Sequence, residues 1–310
     1  MKNTFLLGQV TPTSARLAYH CEGSYLLYGN LADDTIRKVC QDGTQTVFVD
    51  NVPVLQIYRH NQDVLILTTE DNRFVWVNNI NTWSAPTIRS WSTLGAGSVT
   101  VLSSQEINNV FEKKHFIRLQ TRTLYGQHYQ IDLDWDSGGV DTKLVSTESQ
   151  FLGPCVRIET LTDGSKLCLS PIGRLAFAPS VPFRGVDYSK QKKLVSYSLS
   201  VTRGIGREFY SLRPNNEPWD SGGVDRVSVL PNGEVDIKKV SGQGFNINWY
   251  DPRFNQLVNL AGKLVFPNYT KAGFVLVRVD PLTGQAENLI KYYDPYYESQ
   301  VIGSMIVLDP

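Results

Sequence analysis

The chain has 310 residues, of which 41% are hydrophobic, 11% aromatic and 19% charged. Lys plus Arg and Asp plus Glu each number 30, so the net charge is zero and no overall field attracts nucleic acid or an anionic membrane. Low charge and many aromatic residues favour an all-β fold, and the length allows one large domain or two smaller ones.

The N-terminal segment gives no targeting signal. Residues 1–8 contain neither a long apolar core nor a cleavage site, so we expect no signal peptide. No apolar run reaches the roughly 18 residues of a membrane span. We therefore expect synthesis in the cytoplasm, with later association with a virion as one option.

Four cysteines lie at positions 21, 40, 155 and 168 and form no Cys-x-x-Cys pair. We therefore expect no zinc or iron–sulfur cofactor. The spacings Cys21/Cys40 and Cys155/Cys168 would each allow a local disulfide. For a protein in a reducing compartment, buried free thiols are the default expectation.

Short apolar or alternating runs, separated by turn residues, follow one another along the chain. Residues 56–60, 64–68 and 74–77 predict strands. The pairs Asp42-Gly43, Asp163-Gly164 and Asn232-Gly233 predict tight hairpins, because these residues tolerate positive φ angles. The best helix candidate is residues 103–112, which two adjacent asparagines weaken. No Pro/Ser-rich linker divides the chain, which favours a single domain over residues 1–310.

A seven-residue sequence, Trp-Asp-Ser-Gly-Gly-Val-Asp, occurs at 135–141 and again at 219–225, an offset of 84 residues. Half of this offset, 42, is typical of one four-stranded blade of a β-propeller. In a turn the Asp would cap backbone N–H groups, the glycines would take positive φ, and the Trp would pack between blades. The predicted turn residues are Trp135, Asp136, Gly138, Gly139, Trp219, Asp220, Gly222 and Gly223.

A second repeat has an offset of 29 residues and relates Asp251-Pro252 to Asp280-Pro281. Each pair follows a predicted strand, as in the hairpin that ends a blade. Such hairpins predict seven blade ends, near Asn30, Asn79, Asp136, Pro179, Asp220, Asp251 and Asp280. Since 29 residues are too few for four strands, six blades remain an alternative to seven.

Strands predicted at both ends of the chain, residues 4–10 and 300–308, suit a ring closed by the N- and C-terminal strands. A pair of β-sandwiches is the structural alternative. The turn Asp280-Pro-Leu-Thr-Gly284-Gln285 resembles the blade turns of Kelch-like and related repeats, and it implies membership of the β-propeller superfamily. The WD40 signature is absent at its proper place, because Trp135-Asp136 begins a turn instead of ending a strand.

Candidate chemistry is sparse. Asp132, Asp134 and Asp136 alternate as in a calcium loop, but Ser137 separates the last of them from the glycine and no bidentate Glu follows. We therefore favour a turn over a metal site and expect no cofactor. The four histidines form no zinc motif, and no Gly-x-Ser-x-Gly elbow is present.

The cluster Tyr292, Tyr293, Tyr296 and Tyr297 surrounds an Asp-Pro turn. It predicts a sugar platform or a protein-binding hot spot, with packing between blades as the alternative. Because propeller superfamily members are mostly binding scaffolds, the leading hypothesis is a non-catalytic interaction module with protein partners. Such a module would be a structural subunit of a larger complex such as a phage tail or virion. The alternatives are a glycan-binding lectin-like propeller and a hydrolase or lyase with a central-pocket site.

Overall fold

A computed structural model describes the chain over a series of ranges separated by gaps. They are residues 21–60, 63–68, 73–77, 88–92, 99–109, 114–123, 127–147, 152–153, 157–160, 166–169, 175–178, 186–187, 200–206, 208–215, 222–230, 235–241, 244–247, 256–270, 273–293 and 302–308. Their regular structure is entirely β. In these ranges no helix is long and apolar enough to cross a membrane.

Antiparallel sheets follow one another along the chain, and consecutive strands are neighbours within each sheet. The first sheet contains β1 (Tyr25–Asn30), β2 (Thr35–Val39) and β3 (Gln45–Val49), and the second β4 (Val54–His60), β5 (Asp63–Thr68), β6 (Arg73–Val77) and β7 (Ile88–Ser92). The third contains β8 (Val99–Asn109), β9 (Lys114–Thr123), β10 (Gln127–Asp134) and β11 (Val140–Thr147).

The second half of the chain continues this pattern. A two-stranded pair, β12 (Leu152–Gly153) and β16 (Val186–Asp187), accompanies the fourth sheet of β13 (Arg157–Thr160), β14 (Lys166–Leu169) and β15 (Leu175–Ala178). The fifth sheet contains β17 (Ser200–Arg203), β18 (Glu208–Arg213), β19 (Gly223–Val229) and β20 (Val235–Lys239). The sixth contains β21 (Val258–Leu260), β22 (Lys263–Thr270), β23 (Gly273–Val279) and β24 (Ala286–Tyr293).

The last strand, β25 (Ile302–Leu308), joins the first sheet, whose order is β25-β1-β2-β3. Antiparallel pairing runs from Tyr25↔Leu308 to Asn30↔Ile302. The predicted C-terminal strand is thus confirmed, and its partner within the described ranges is β1. Residues 4–10, the predicted N-terminal strand, lie outside those ranges.

Neighbouring sheets contact one another through their first strands. These contacts join β25 to β4, β4 to β8, β13 to β17, β17 to β21 and β21 to β25. Apolar layers lie between the first and second, the second and third, the fifth and sixth, and the sixth and first sheets, and every residue of β1 is buried. Tyr25 and Leu27 belong to the layer shared with the second sheet, whereas Leu26 and Tyr28 belong to the layer shared with the sixth. The first sheet is therefore covered on both faces, which differs from the two packed sheets of a sandwich.

Polar contacts cross between the same first strands. Gln56 Oε1 accepts a hydrogen bond from Val101 N at 3.1 Å, which ties the second sheet to the third. Gln256 Oε1 accepts one from Met305 N at 2.6 Å, which ties the sixth to the first. At two junctions between sheets, a glutamine side-chain oxygen thus accepts a hydrogen bond from a strand N–H of the next sheet. Without this acceptor the N–H group would be buried and unpaired.

The predicted strands at 56–60, 64–68 and 74–77 are confirmed as β4, β5 and β6. The predicted helix at 103–112 is wrong, because this segment lies mainly in β8. β8 pairs with β9 from Val99↔Thr123 to Asn109↔Lys114, and this ladder outweighs a weak helix preference.

The two identical heptapeptides do not occupy equivalent places, which corrects the interpretation of the 84-residue repeat. The copy at 135–141 joins the third and fourth strands of its sheet, as predicted. The copy at 219–225 joins β18 and β19, the second and third strands of the fifth sheet. The blade end predicted near Asp220 is therefore wrong, and 84 residues do not measure a whole number of blades.

One more predicted blade end is wrong. Asn30 ends β1 and leads into β2, so its turn joins the second and third strands of the first sheet. Asp251 lies outside the described ranges, so the blade end predicted there stays a prediction. Three predicted ends do follow third strands within four-stranded sheets, namely those near Asn79, Asp136 and Asp280. Pro179 follows β15, the third strand of its sheet.

Cys21 and Cys40 form a disulfide, with their Cα atoms 5.2 Å apart. The expectation of free buried thiols is wrong for this pair. Cys21 precedes β1 and Cys40 directly follows β2, so the hairpin of the first sheet brings the two together. Cys155 lies outside the described residues, and the second pairing stays a prediction.

Candidate functional site

The predicted turn at Trp135 is built by the residue before it. Asp134 Oδ1 accepts hydrogen bonds from the backbone N–H groups of Asp136 at 2.9 Å and Ser137 at 2.8 Å. These bonds hold the pKa of the Asp134 carboxyl below its ordinary value, because they favour its charged form. Gly138 takes a φ of 70°, whereas Gly139 has no positive φ, so the prediction of a positive φ at both glycines is wrong for the second. The capping carboxylate is thus Asp134, while Asp136 lies exposed.

Trp135 packs in the layer between the second and third sheets, as expected for a Trp between blades. Its ring centroid lies 5.7 Å from that of Trp76, 5.8 Å from that of Trp91 and 5.6 Å from that of His115. Trp91 Nε1 donates a hydrogen bond to the Asp134 carbonyl oxygen at 2.9 Å, so the outer strand of the second sheet is fixed to this turn. These contacts give Trp135 a structural role.

The three aspartates of the weak metal candidate are already engaged or separated. Asp132 accepts two hydrogen bonds from Arg118, at 2.8 and 2.7 Å, across the β9–β10 pair. Asp134 caps the turn, and Asp136 is exposed. Within the described ranges, no group of three or more His, Cys, Asp or Glu side chains is placed to hold a metal ion. The arrangement supports the turn interpretation of this segment.

The second copy of the heptapeptide is described only in its latter half, and Trp219 and Asp220 lie outside the described ranges. Gly222 forms a β-bridge with Phe245, and its N–H donates to Asn215 Oδ1 at 2.7 Å. Gly223 begins β19. In this copy the Gly-Gly pair therefore lies at the start of a strand, whereas in the first copy Gly138 lies in a turn.

The tyrosine cluster divides at the end of the sixth sheet. Tyr292 and Tyr293 are the last two residues of β24, the outer strand of that sheet. Tyr296 and Tyr297 lie outside the described ranges. The predicted platform therefore remains a prediction, placed at an outer strand.

A serine–histidine pair that sequence analysis missed joins β4 to β8. His60 Nδ1 lies 2.5 Å from Ser104 Oγ, and the His60 ring centroid lies 5.2 Å from that of Trp76. Burial lowers the pKa of His60, and the nearby Glu106 and Asp63 charges oppose this effect. A nucleophile and its base must reach substrate, but His60 is only 8% exposed. The pair therefore serves to join two sheets.

Among the strands that the structure describes, β11 has the most exposed apolar surface. Leu144 is 49% exposed and Val145 is 54% exposed, at a β-bulge where Val145 has no pairing partner on β10. β11 is the outer strand of the third sheet, and among the described strands only β10 pairs with it. We call residues Asp141–Ser146 the β11 edge; apart from the half-buried Thr142, all of them are exposed. The sequence did not indicate this edge, because alternation alone does not tell an outer strand from an inner one.

Comparisons with known proteins identify the fold alone. No protein-family model matches the chain, and no curated protein matches its sequence. One similar structure is a chain of a nidogen/laminin complex, with 9% identity and a TM-score of 0.55 over 92% of this chain and 98% of that one. Another is a candidate 6-phosphogluconolactonase from Bacteroides fragilis, with 10% identity and a TM-score of 0.53 over 96% of this chain and 100% of that one. Both neighbours are β-propeller proteins, so the likeness shows that this all-β chain has a propeller-like fold.

Proposed function

We propose that the chain is a single six-bladed β-propeller over residues 1–310 and that it acts as a non-catalytic interaction module in a larger assembly. The observation that carries this proposal is the exposed aliphatic surface of the β11 edge. Five four-stranded sheets and the three-stranded sheet β13–β15, all within the described ranges, support six blades over seven.

Support for a ring comes from the sequence of contacts between first strands. They run from the fourth sheet through the fifth and sixth to the first, and onward to the second and third. A closed ring would further require the third and fourth sheets to meet, and β25 and β1 would then share one of its blades. A propeller closed in this way leaves only short outer edges to bind other chains.

The β11 edge fits an extended protein segment. An added strand would pair with the outer backbone groups of β11, and Leu144 and Val145 would lose solvent contact. Full burial of one such side chain contributes about 1.5–3 kcal/mol. Burying the exposed halves of Leu144 and Val145 would therefore contribute favourably to the free energy of binding. Asp141 and Lys143 precede this apolar pair on the same edge and would set the register by charge.

The fold leaves the other functional classes open, since one propeller neighbour comes from a protein complex and another is a candidate lactonase. Glycan binding by Tyr292, Tyr293, Tyr296 and Tyr297 and a hydrolase or lyase site remain alternatives, but no described contact favours either. The structural neighbours give a phage-tail or virion origin no support, so the proposal names no particular complex.

The disulfide bears on location. Because disulfides persist in oxidising surroundings, synthesis in the cytoplasm followed by action outside it fits the Cys21–Cys40 bond better than permanent cytoplasmic residence. A released particle or an extracellular assembly would meet this condition.

The β11 edge is tested with a photo-crosslinking amino acid at Val145 and, as the matched control, at Ile237. Ile237 is 45% exposed on β20, which is also an outer strand. In native extracts we expect a protein partner to be captured in fixed stoichiometry from position 145 and not from 237. The purified partner should then bind the Leu144→Asp variant at least tenfold more weakly than the unaltered chain.

Equal capture from both positions, or unaltered affinity of the folded Leu144→Asp variant, would contradict the use of this edge. A glycan array tests the first alternative, because strong saturable sugar binding would favour the lectin-like class over the assembly role.

A further inference from the structure

Lys38 is a buried cation in an apolar layer. It lies in β2 and is only 7% exposed. Its strand neighbours Ile36 and Cys40, two residues away on either side, belong to the layer between the first and second sheets, so Lys38 points into the same layer. The Lys38 ammonium lies 4.1 Å from the centre of the Tyr25 ring.

No carboxylate balances this charge in the part of the chain that the structure describes. Burial lowers the pKa of Lys38, and no nearby acidic group opposes this effect. Lysine is rarely buried without an anionic partner, because removing its charge from water is costly. A cation–π contact recovers only about 2 kcal/mol even when it is desolvated.

Thr46 lies directly opposite Lys38 on β3, so the two side chains share one face of the first sheet. Thr46 Oγ1 is buried and has no hydrogen-bond partner among the described residues. The ammonium can only donate and the hydroxyl can donate or accept, and among the described residues neither has a hydrogen-bond partner. Arg59, on β4 across the layer, adds positive charge near Tyr25. Two adjacent donors without acceptors, in positive surroundings, match the needs of an anion.

We propose that Lys38 and Thr46 bind a small tetrahedral oxyanion, of the phosphate or sulfate class, between the first and second sheets. The Lys38 ammonium supplies the charge and a donated hydrogen bond, and the Thr46 hydroxyl donates a second bond to another oxygen of the same anion. This explains why a lysine stands where an apolar side chain of similar volume would pack without an unpaired charge.

The test compares thermal unfolding in sodium chloride and in sodium phosphate at matched ionic strength, with sulfate and acetate as further arms. For the unaltered chain we expect the melting temperature to rise along a saturating curve with phosphate or sulfate, as linkage requires for a ligand of the folded state. Lys38→Met should melt higher than the unaltered chain in chloride and lose the saturable rise. Thr46→Val should keep the fold and bind phosphate at least threefold more weakly by calorimetry.

Two control variants keep the test decisive. Lys291→Met removes an exposed lysine from β24 and should respond as the unaltered chain does. Lys38→Arg keeps the charge and should keep the anion response even if Lys38→Met fails to fold. The proposal is overturned if phosphate and sulfate have no saturable effect, if only acetate has one, or if the rise is the same in Thr46→Val and Lys38→Met as in the unaltered chain.

Discussion

Asp134 and Asp280 occupy the same position in the same turn of two different sheets. Asp134 Oδ1 accepts backbone hydrogen bonds from the residues two and three positions later, and Asp280 Oδ1 does so from Leu282 at 2.8 Å and Thr283 at 3.2 Å. Gly138 and Gly284 follow with φ angles of 70° and 72°. Each turn joins the third and fourth strands of its sheet.

The unit that recurs in three dimensions is therefore Asp-x-x-Ser/Thr-Gly. The Ser or Thr hydroxyl oxygen of each turn accepts a bond from the residue after the glycine, from Gly139 at 3.1 Å and from Gln285 at 3.3 Å. At Gly284 an added Cβ would lie 2.4 Å from the Val240 carbonyl oxygen, so the glycine also permits close approach of the fifth sheet.

Replacement of Asp134 by Ala is expected to destabilise the protein by about 1 kcal/mol, because two backbone N–H groups lose their shared acceptor. Asp134→Asn keeps an acceptor oxygen and should lose less. The measurement is the free energy of unfolding in urea. Asp136→Ala is the matched control, since its exposed side chain caps no described group and should leave stability unchanged. Equal losses for Asp134→Ala and Asp136→Ala would show that the capping assignment is wrong.

The heptapeptide repeat shows that sequence identity alone does not predict such a turn. Seven identical residues predicted two equivalent hairpins, but the decisive residue precedes the heptapeptide. It is Asp134 in one copy and Pro218 in the other, and proline carries no carboxylate to cap the turn. The shorter pattern shared by Asp134 and Asp280 is visible in the sequence. The prediction nevertheless followed the longer exact repeat.

Strand positions followed from alternation and turn residues, since these depend on neighbours in the chain. The exposure of Leu144, the isolation of Lys38 and the pairing of Cys21 with Cys40 depend on which strands become neighbours in space. Alternation gives the same pattern for an inner and an outer strand, so these features of the candidate sites required the structure.

Reduction of the Cys21–Cys40 bond should destabilise the protein by about 3 kcal/mol, because the bond no longer restricts the loop between the two cysteines in the unfolded chain. The measurement is the denaturant midpoint with and without a reductant. The double variant Cys21→Ala/Cys40→Ala serves as the control and should be insensitive to the reductant. If the reductant lowers the midpoint of the double variant equally, the sensitivity to the reductant arises from Cys155 or Cys168 instead.

His60 should make stability depend on pH. Because burial lowers its pKa in the folded state, the unfolded chain binds a proton more readily. Its contribution is therefore complete above the unfolded value of about 6.5 and is lost as the pH falls toward the lower folded value. Urea midpoints at pH 7.5 and 5.5 should differ more for the unaltered chain than for His60→Gln. The same difference in both would show that other groups cause the dependence.

Removal of residues 301–310 should unfold the whole chain cooperatively. β25 pairs with β1 and also contacts β4 and β21, so its loss uncovers both faces of the first sheet. Ile302, Met305 and Leu308 are each at most 2% exposed, and the loss of each such side chain costs about 2–5 kcal/mol. Together these losses are comparable with the roughly 5–15 kcal/mol that stabilise a typical folded domain.

The point variants Met305→Ala and Leu282→Ala test whether the loss of stability depends on burial of the side chain. Met305 is 2% exposed whereas Leu282 is 89% exposed, so only the first should lower the melting temperature. Circular dichroism during a thermal scan follows all three proteins. A truncated chain that melts like the full-length protein would mean that the sheet shared by β1 and β25 does not support the others, and the closed ring would have to be abandoned.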